Sequence, residues 1–183
     1  MTEISKRFQR VTAAFTERAR AVPADSWEHP APCEGWVARD VVKHLVDWIP
    51  GLLCGGPGIP IPTFPSVDED PVGAWEAFVA VIMASLHDPD IATLEFDTPP
   101  GLTSFERALD QFGTPDVLLH TWDLARATGL DETLLADEVH QLYVGMQPYD
   151  ELLRTSGHYG PKVAVSDDAD EQTKLLAFSG RRP

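Results

Sequence analysis

Residues 115–129 read Pro115-Asp116-Val117-Leu118-Leu119-His120-Thr121-Trp122-Asp123-Leu124-Ala125-Arg126-Ala127-Thr128-Gly129. Proline suits the first helical position, where its missing N–H is not needed, and glycine suits the left-handed residue that ends a helix. The stretch is therefore helical. Gly113-Thr114-Pro115 either kinks a longer helix that starts near Ser104 or restarts one, with Thr114 as N-cap and Pro115 at the first position. Asp116 and His120 stand four residues apart, so their side chains leave one face about one turn apart and can grip a single cation. Val117, Leu124 and Ala127 share or flank that face, which makes the pair a buried one. Alone the pair is weak, because acid and histidine at this spacing also meet on helix surfaces and first turns.

Working outward, Ile4, Phe8, Val11, Phe15 and Val22 mark a helix over residues 2–22 that stops before Pro23. Residues 23–35 form an ordered, proline-bearing loop. A second helix spans Val37 to Leu53 with the stripe Val41, His44 or Leu45, Trp48 and Leu52, which puts His44 on or beside the apolar face. Facing helices build metal sites from inward side chains, so His44 is the natural third donor to Asp116 and His120. The plainer reading is that both histidines are hydrogen-bonded core residues. Residues 55–71, rich in glycine and proline, make a long crossover. A third helix runs from Pro71 to Leu86 through Val72, Trp75, Val79, Ile82 and Leu86. Ile91 to Phe96 reads as one short strand or extended segment before Pro99-Pro100-Gly101. Glu132–Met146, Pro148–Arg154 and Glu171–Phe178 are further helical stretches.

The expected class is thus all-α, a four-helix bundle with long crossover loops and short extra helices at the C-terminus. The chain has 183 residues, which fits one domain, 1–183. At 43% apolar and 23% charged it is too hydrophobic for a disordered chain. A net charge of −15 repels a nucleic-acid backbone, which excludes that partner class. The N-terminus lacks an apolar signal region, and no run of apolar residues is long enough to span a bilayer, so no membrane partner and a cytoplasmic location are expected. Cys33 and Cys54 show no CxxC spacing and read as reduced thiols; Cys33 reads as an inert one before a resident nucleophile, since the pattern places no partner base near it. Acidic residues crowd between Asp131 and Glu171, against only Arg154 and Lys162, and read as a solvated face. There is no phosphate-binding glycine loop, GxSxG elbow or HExxH.

Three motifs in order carry a resemblance. Pro32-Cys33-Glu34-Gly35-Trp36 with Asp40-Val41-Val42-Lys43-His44, then Leu119 to Gly129, then Gly160-Pro161-Lys162-Val163 through Lys174 to Pro183, resemble the actinobacterial metal-binding proteins related to the N-terminal domain of mycothiol-dependent maleylpyruvate isomerase, within the DinB-like superfamily. The resemblance implies a DinB-like four-helix bundle and a divalent metal held by His44, Asp116 and His120. It favours zinc or nickel, with iron as a further option for two histidines and one carboxylate. It implies mycothiol as cosubstrate and a small electrophile as substrate, in S-transfer or isomerisation, because a thiol bound to a divalent cation ionises near neutral pH. The isomerase carries a further C-terminal domain for which this chain has no room, so maleylpyruvate isomerase activity itself is not expected. Val37 departs from the Ser or Thr that relatives place after Gly-Trp, which weakens the expected helix cap.

Around the trio, Asp123 reads as a structural residue paired with a neighbour such as Arg126, with orientation of His120 as its other role. Trp36, Trp48 and Trp122 read as core before pocket lining. His29, His87, His140 and His158 are left out of the site, and no catalytic residue is assigned. Two other functions compete with the enzyme. One is a non-catalytic or stress-associated metal-binding bundle; the other is a helical homodimer acting as an interaction module, its histidines idle.

Overall fold

The computed structural model describes residues 1–98, 100–155 and 159–183. Its long helices are α1 (Glu3–Ala21), α2 (Ala38–Gly55) and α3 (Pro71–His87), followed by the short α4 (Pro89–Ala92), β1 (Glu95–Thr98) and β2 (Gly101–Ser104). Then come α5 (Phe105–Ala108), a π turn (Leu109–Gly113), α6 (Thr114–Thr128), α7 (Ala136–Met146), a 3-10 turn (Gln147–Tyr149), α8 (Asp150–Thr155) and α9 (Glu171–Phe178). The all-α class holds. No helix among the described residues is long and apolar enough to cross a membrane.

The bundle forms because four apolar faces cover one another. α1 packs on α3 and α6, and α2 packs on the same two helices. Phe8, Val11 and Phe15 of α1 are buried, with the Phe15 ring 4.3 Å from that of Trp75 and Trp75 in turn 5.2 Å from Phe78. The Trp75 indole N–H donates to Thr16 Oγ1 at 2.8 Å, so this large ring enters the core without stranding its polar atom. On α2 the buried face is Val41, Val42, Leu45, Val46, Ile49 and Leu53. His44, Trp48 and Leu52 lie beside it, only partly covered, so the stripe read from sequence is rotated slightly from the true one.

Local chemistry sets the helix ends. Thr2 caps α1 by accepting from the Ser5 N–H, and Asp70 caps α3 by accepting from that of Gly73. Val37 has no side-chain oxygen to offer α2. Instead Asp40 accepts from the Val37 N–H, and the carbonyls of His29 and Trp27 accept from Ala38 and Arg39. The loop over residues 23–37 therefore takes the place of the missing Ser or Thr cap.

The strand, the start of α7 and the solvated acidic face need correction. Ile91 to Phe96 is not one strand: Ile91 and Ala92 belong to α4, and the strand covers Glu95–Thr98, paired antiparallel with Gly101–Ser104. At Gly113-Thr114-Pro115 the first of the two alternatives holds: Gly113 and Thr114 are both helical, the backbone runs on from α5, whose cap is Ser104, and Thr114 caps no new helix. The Thr114 N–H reaches back to Leu109 O, a wide π turn that carries the chain past Pro115, whose ring would crowd the carbonyl one normal turn earlier. In the acidic stretch, residues 132–135 lie outside α7, and Glu138 is 2% exposed rather than solvated, held by Arg7 at 2.6 Å and Arg10 at 3.1 Å.

Gly129 ends α6 at φ +70, as the sequence predicts. A methyl group there would touch nothing, so only the backbone opposes it. Gly129→Ala is expected to cost about 1 kcal/mol in urea unfolding, without changing the slope of the transition.

Candidate metal centre

α2 and α6 are packed neighbours, and their contact brings residues 72 positions apart together: His44 Nε2 lies 3.0 Å from Asp116 Oδ2. On α6 itself, His120 Nε2 lies 3.4 Å from Asp116 Oδ1, one turn along. One donor atom from each of the three side chains falls within 4.8 Å of the other two. Exposure differs across the trio. The His120 side chain is 6% exposed, whereas His44 is 28% and Asp116 22%, so solvent reaches the site from the His44 and Asp116 side.

Aromatic rings frame the imidazoles. Trp36 lies 5.1 Å from the His44 ring and stacks 5.8 Å from that of His120, while Trp48 stacks on His44 at 5.9 Å. These two tryptophans line the site, contrary to a pure core role. Trp122 does belong to the core, 1% exposed under the Arg126 guanidinium.

Behind His120 stands Asp123, 0% exposed, with Oδ2 at 2.8 Å from His120 Nδ1, a contact too bent for a well-aligned hydrogen bond. Its charge partner is not the neighbouring Arg126, which pairs with Glu132. Arg181, from the C-terminal tail, donates to Asp123 through Nε at 2.9 Å and Nη2 at 2.6 Å. Cys33 Sγ lies 3.7 Å from the same carboxylate, so this thiol has polar company that the sequence spacing does not reveal. Tyr159 is also near: burial raises its phenol pKa and the Asp116 charge adds to that rise. Arg181, Cys33 and Tyr159 are the residues that reading by helical spacing missed. Two of them lie within the quoted motifs, Cys33 in the first and Arg181 in the last, and spacing assigns neither to the site.

Electrostatics follow the geometry. Burial opposes a charged His120, yet the Asp116 charge, with Asp123 behind, overrides it and raises the imidazole pKa to about 10. Burial likewise opposes the Asp116 and Asp123 carboxylates. Asp116 is nevertheless held below its usual value by His120 and His44, and Asp123 far below by Arg181 and His120. The His120 ring thus presents a proton to Asp116, and any cation entering the trio has to displace it.

His140, 60% exposed, contacts Glu171 on the surface, and His29 and His87 are exposed as expected. His158 lies outside the described residues.

A helical bundle with two imidazole nitrogens and a carboxylate converging between two of its helices defines the class of candidate metal-site bundles. Residues 8–56, His44 included, match the family model of the Mycothiol maleylpyruvate isomerase N-terminal domain. Two Mycobacterium tuberculosis proteins are similar to the chain, the uncharacterized protein MT0763 of strain CDC 1551 / Oshkosh and the uncharacterized protein Rv0738 of strain ATCC 25618 / H37Rv. Each is 32% identical over 123 residues, which span 66% of this chain and 65% of the relative's length. No solved structure matches the chain significantly.

Proposed function

We propose that the protein holds a divalent cation between His44, Asp116 and His120 and acts as a thiol-dependent S-transferase or isomerase on a small electrophile, with mycothiol as cosubstrate. The observation that carries the cation reading is the convergence of three donor atoms within 4.8 Å on a side that solvent reaches. Nitrogen and oxygen donors suit zinc and nickel first, iron next. The thiol reading rests on the match of residues 8–56 to the isomerase domain family. A bound cation would supply the positive charge that keeps a thiol ionised near neutral pH. The chain's own contribution is to fix the donors on two packed helices and to wall one side of them with Trp36 and Trp48. Addition of the thiol to an unsaturated electrophile breaks the S–H bond and one π bond of the electrophile, forms one carbon–sulfur bond, and passes the thiol proton to the atom that takes up the π electrons. The same reading treats residues 1–183 as one domain working in the cytoplasm with small molecules, without nucleic acid or membrane, either as a monomer or as a homodimer.

Two measurements test it. Elemental analysis after zinc or nickel loading should find about one metal per wild-type chain and little in Asp116→Ala. Equal content in both proteins would remove the trio as the site. Turnover of a panel of electrophiles should then need both mycothiol and metal. Metal without turnover would leave the non-catalytic metal-binding bundle.

A further inference from the structure

His120 belongs to two donor groups at once. Its Nε2 faces His44 and Asp116, while its other nitrogen faces Asp123, and Cys33, His120 and Asp123 also present donor atoms within 4.8 Å of one another. A cation in this second trio would take a ring nitrogen whose proton is needed elsewhere, because a metal-bound imidazole is held in orientation by the proton on its other nitrogen. What distinguishes the two groups is Arg181, which engages Asp123. Its guanidinium grips both oxygens of Asp123 and also donates to Ser179 Oγ at 3.1 Å. The tail that carries it is fixed. The Arg181 N–H donates to Leu176 O of α9, and Gly180 adopts φ +92 so close to Gly160 that an added Cβ would lie 2.9 Å from the Gly160 Cα.

We propose that Arg181 is a positioning residue: its fixed positive charge takes the place of a second cation, keeps Cys33 off the metal, and reserves Asp123 to orient His120 toward His44 and Asp116. The inference rests on the cation reading of that trio. Bidentate pairing matters here, since an arginine fork satisfies both carboxylate oxygens where a lysine would act as a point charge. With both oxygens engaged and the guanidinium alongside, Asp123 acts as a charged partner 2.8 Å from His120 Nδ1 and not as a metal ligand.

The test compares wild type, Arg181→Met, Arg181→Lys and Asp123→Asn by zinc competition with a chromophoric chelator and by the absorption spectrum of the cobalt-substituted protein. Wild type is expected to bind one zinc and to show no thiolate-to-cobalt charge-transfer band. Asp123→Asn should weaken zinc by about 10–100-fold, the usual effect of losing the partner behind a ligating histidine. Arg181→Met should gain a thiolate band that Cys33→Ser, added in the same chain, removes. Arg181→Lys should fall between wild type and Arg181→Met. Near-native zinc affinity in both Asp123→Asn and Arg181→Met, or a thiolate band already present in wild type, would overturn the inference while leaving the cation site standing. Wild type that binds neither zinc nor cobalt would end the cation reading itself. Should Arg181→Met not fold, the wild-type cobalt spectrum and the Asp123→Asn affinity decide between these outcomes.

Discussion

Replacing His120 with alanine is expected to weaken zinc binding by on the order of 10²–10³-fold, the largest single effect in this protein. Structural zinc sites are worth about 10–16 kcal/mol in apparent binding free energy, so one ligand carries roughly 3–4 kcal/mol, at about 1.4 kcal/mol per tenfold. The same substitution acts on the metal-free fold. His120 lies 3.4 Å from Asp116 and 2.8 Å from Asp123, and removing the imidazolium leaves Asp116 with one partner fewer and Asp123 with Arg181 and the Cys33 thiol. Breaking a buried pair of this kind costs about 3–5 kcal/mol. His44→Ala separates the two effects, since His44 is 28% exposed: it should lose zinc to a similar degree and melt close to wild type. His140→Ala, at a 60% exposed surface pair, should change neither. Chelator competition and thermal melting read both quantities. Wild-type zinc affinity in His120→Ala and His44→Ala alike would eliminate this site.

Raising the pH should move metal-free stability and zinc affinity in opposite directions. The folded state favours the His120 imidazolium, raising its pKa from 6.5 to about 10, so its contribution is whole below pH 6.5 and is lost as pH climbs through 10. The metal-free protein should lose on the order of a few kcal/mol of unfolding free energy across that window, since each pKa unit corresponds to about 1.4 kcal/mol. Zinc needs the lone pair that this proton occupies. Its affinity should therefore tighten by about tenfold per pH unit between neutrality and pH 9, with one proton released from His120. At the acid end the sign reverses. Asp116 and Asp123 are held below 3.8, so their contribution is present above that value and disappears as pH falls through their lowered pKa values. Urea unfolding of the metal-free protein at pH 6, 8 and 10, beside zinc competition at pH 7, 8 and 9, checks both slopes. A flat zinc profile would mean that His120 does not exchange its proton for the metal.

Elements governed by their own neighbours were legible in the sequence. α1, α3 and α9 start at or beside Thr2, Pro71 and Glu171, because capping groups and apolar spacing act within a turn or two. The hairpin was half hidden, since Ile91 and Phe96 look alike as apolar residues whether a helical turn or a strand carries them. The π turn was hidden as well: Gly113-Thr114-Pro115 signals a break, while packing of α5 and α6 on the bundle makes the helix continue instead.

The composition and periodicity by themselves determined a helical chain with Asp116 and His120 on one face and His44 beside an apolar stripe. These follow from a fixed rise and rotation per residue, which can be counted along the chain. Tertiary structure alone decided that Arg181 would clamp Asp123 across 58 residues, that Cys33 would lie beside that carboxylate across 90, and that Trp36 and Trp48 would border the imidazoles. Such meetings depend on how whole helices and the terminal tail pack, and local spacing carries no information about a partner that arrives from another part of the chain.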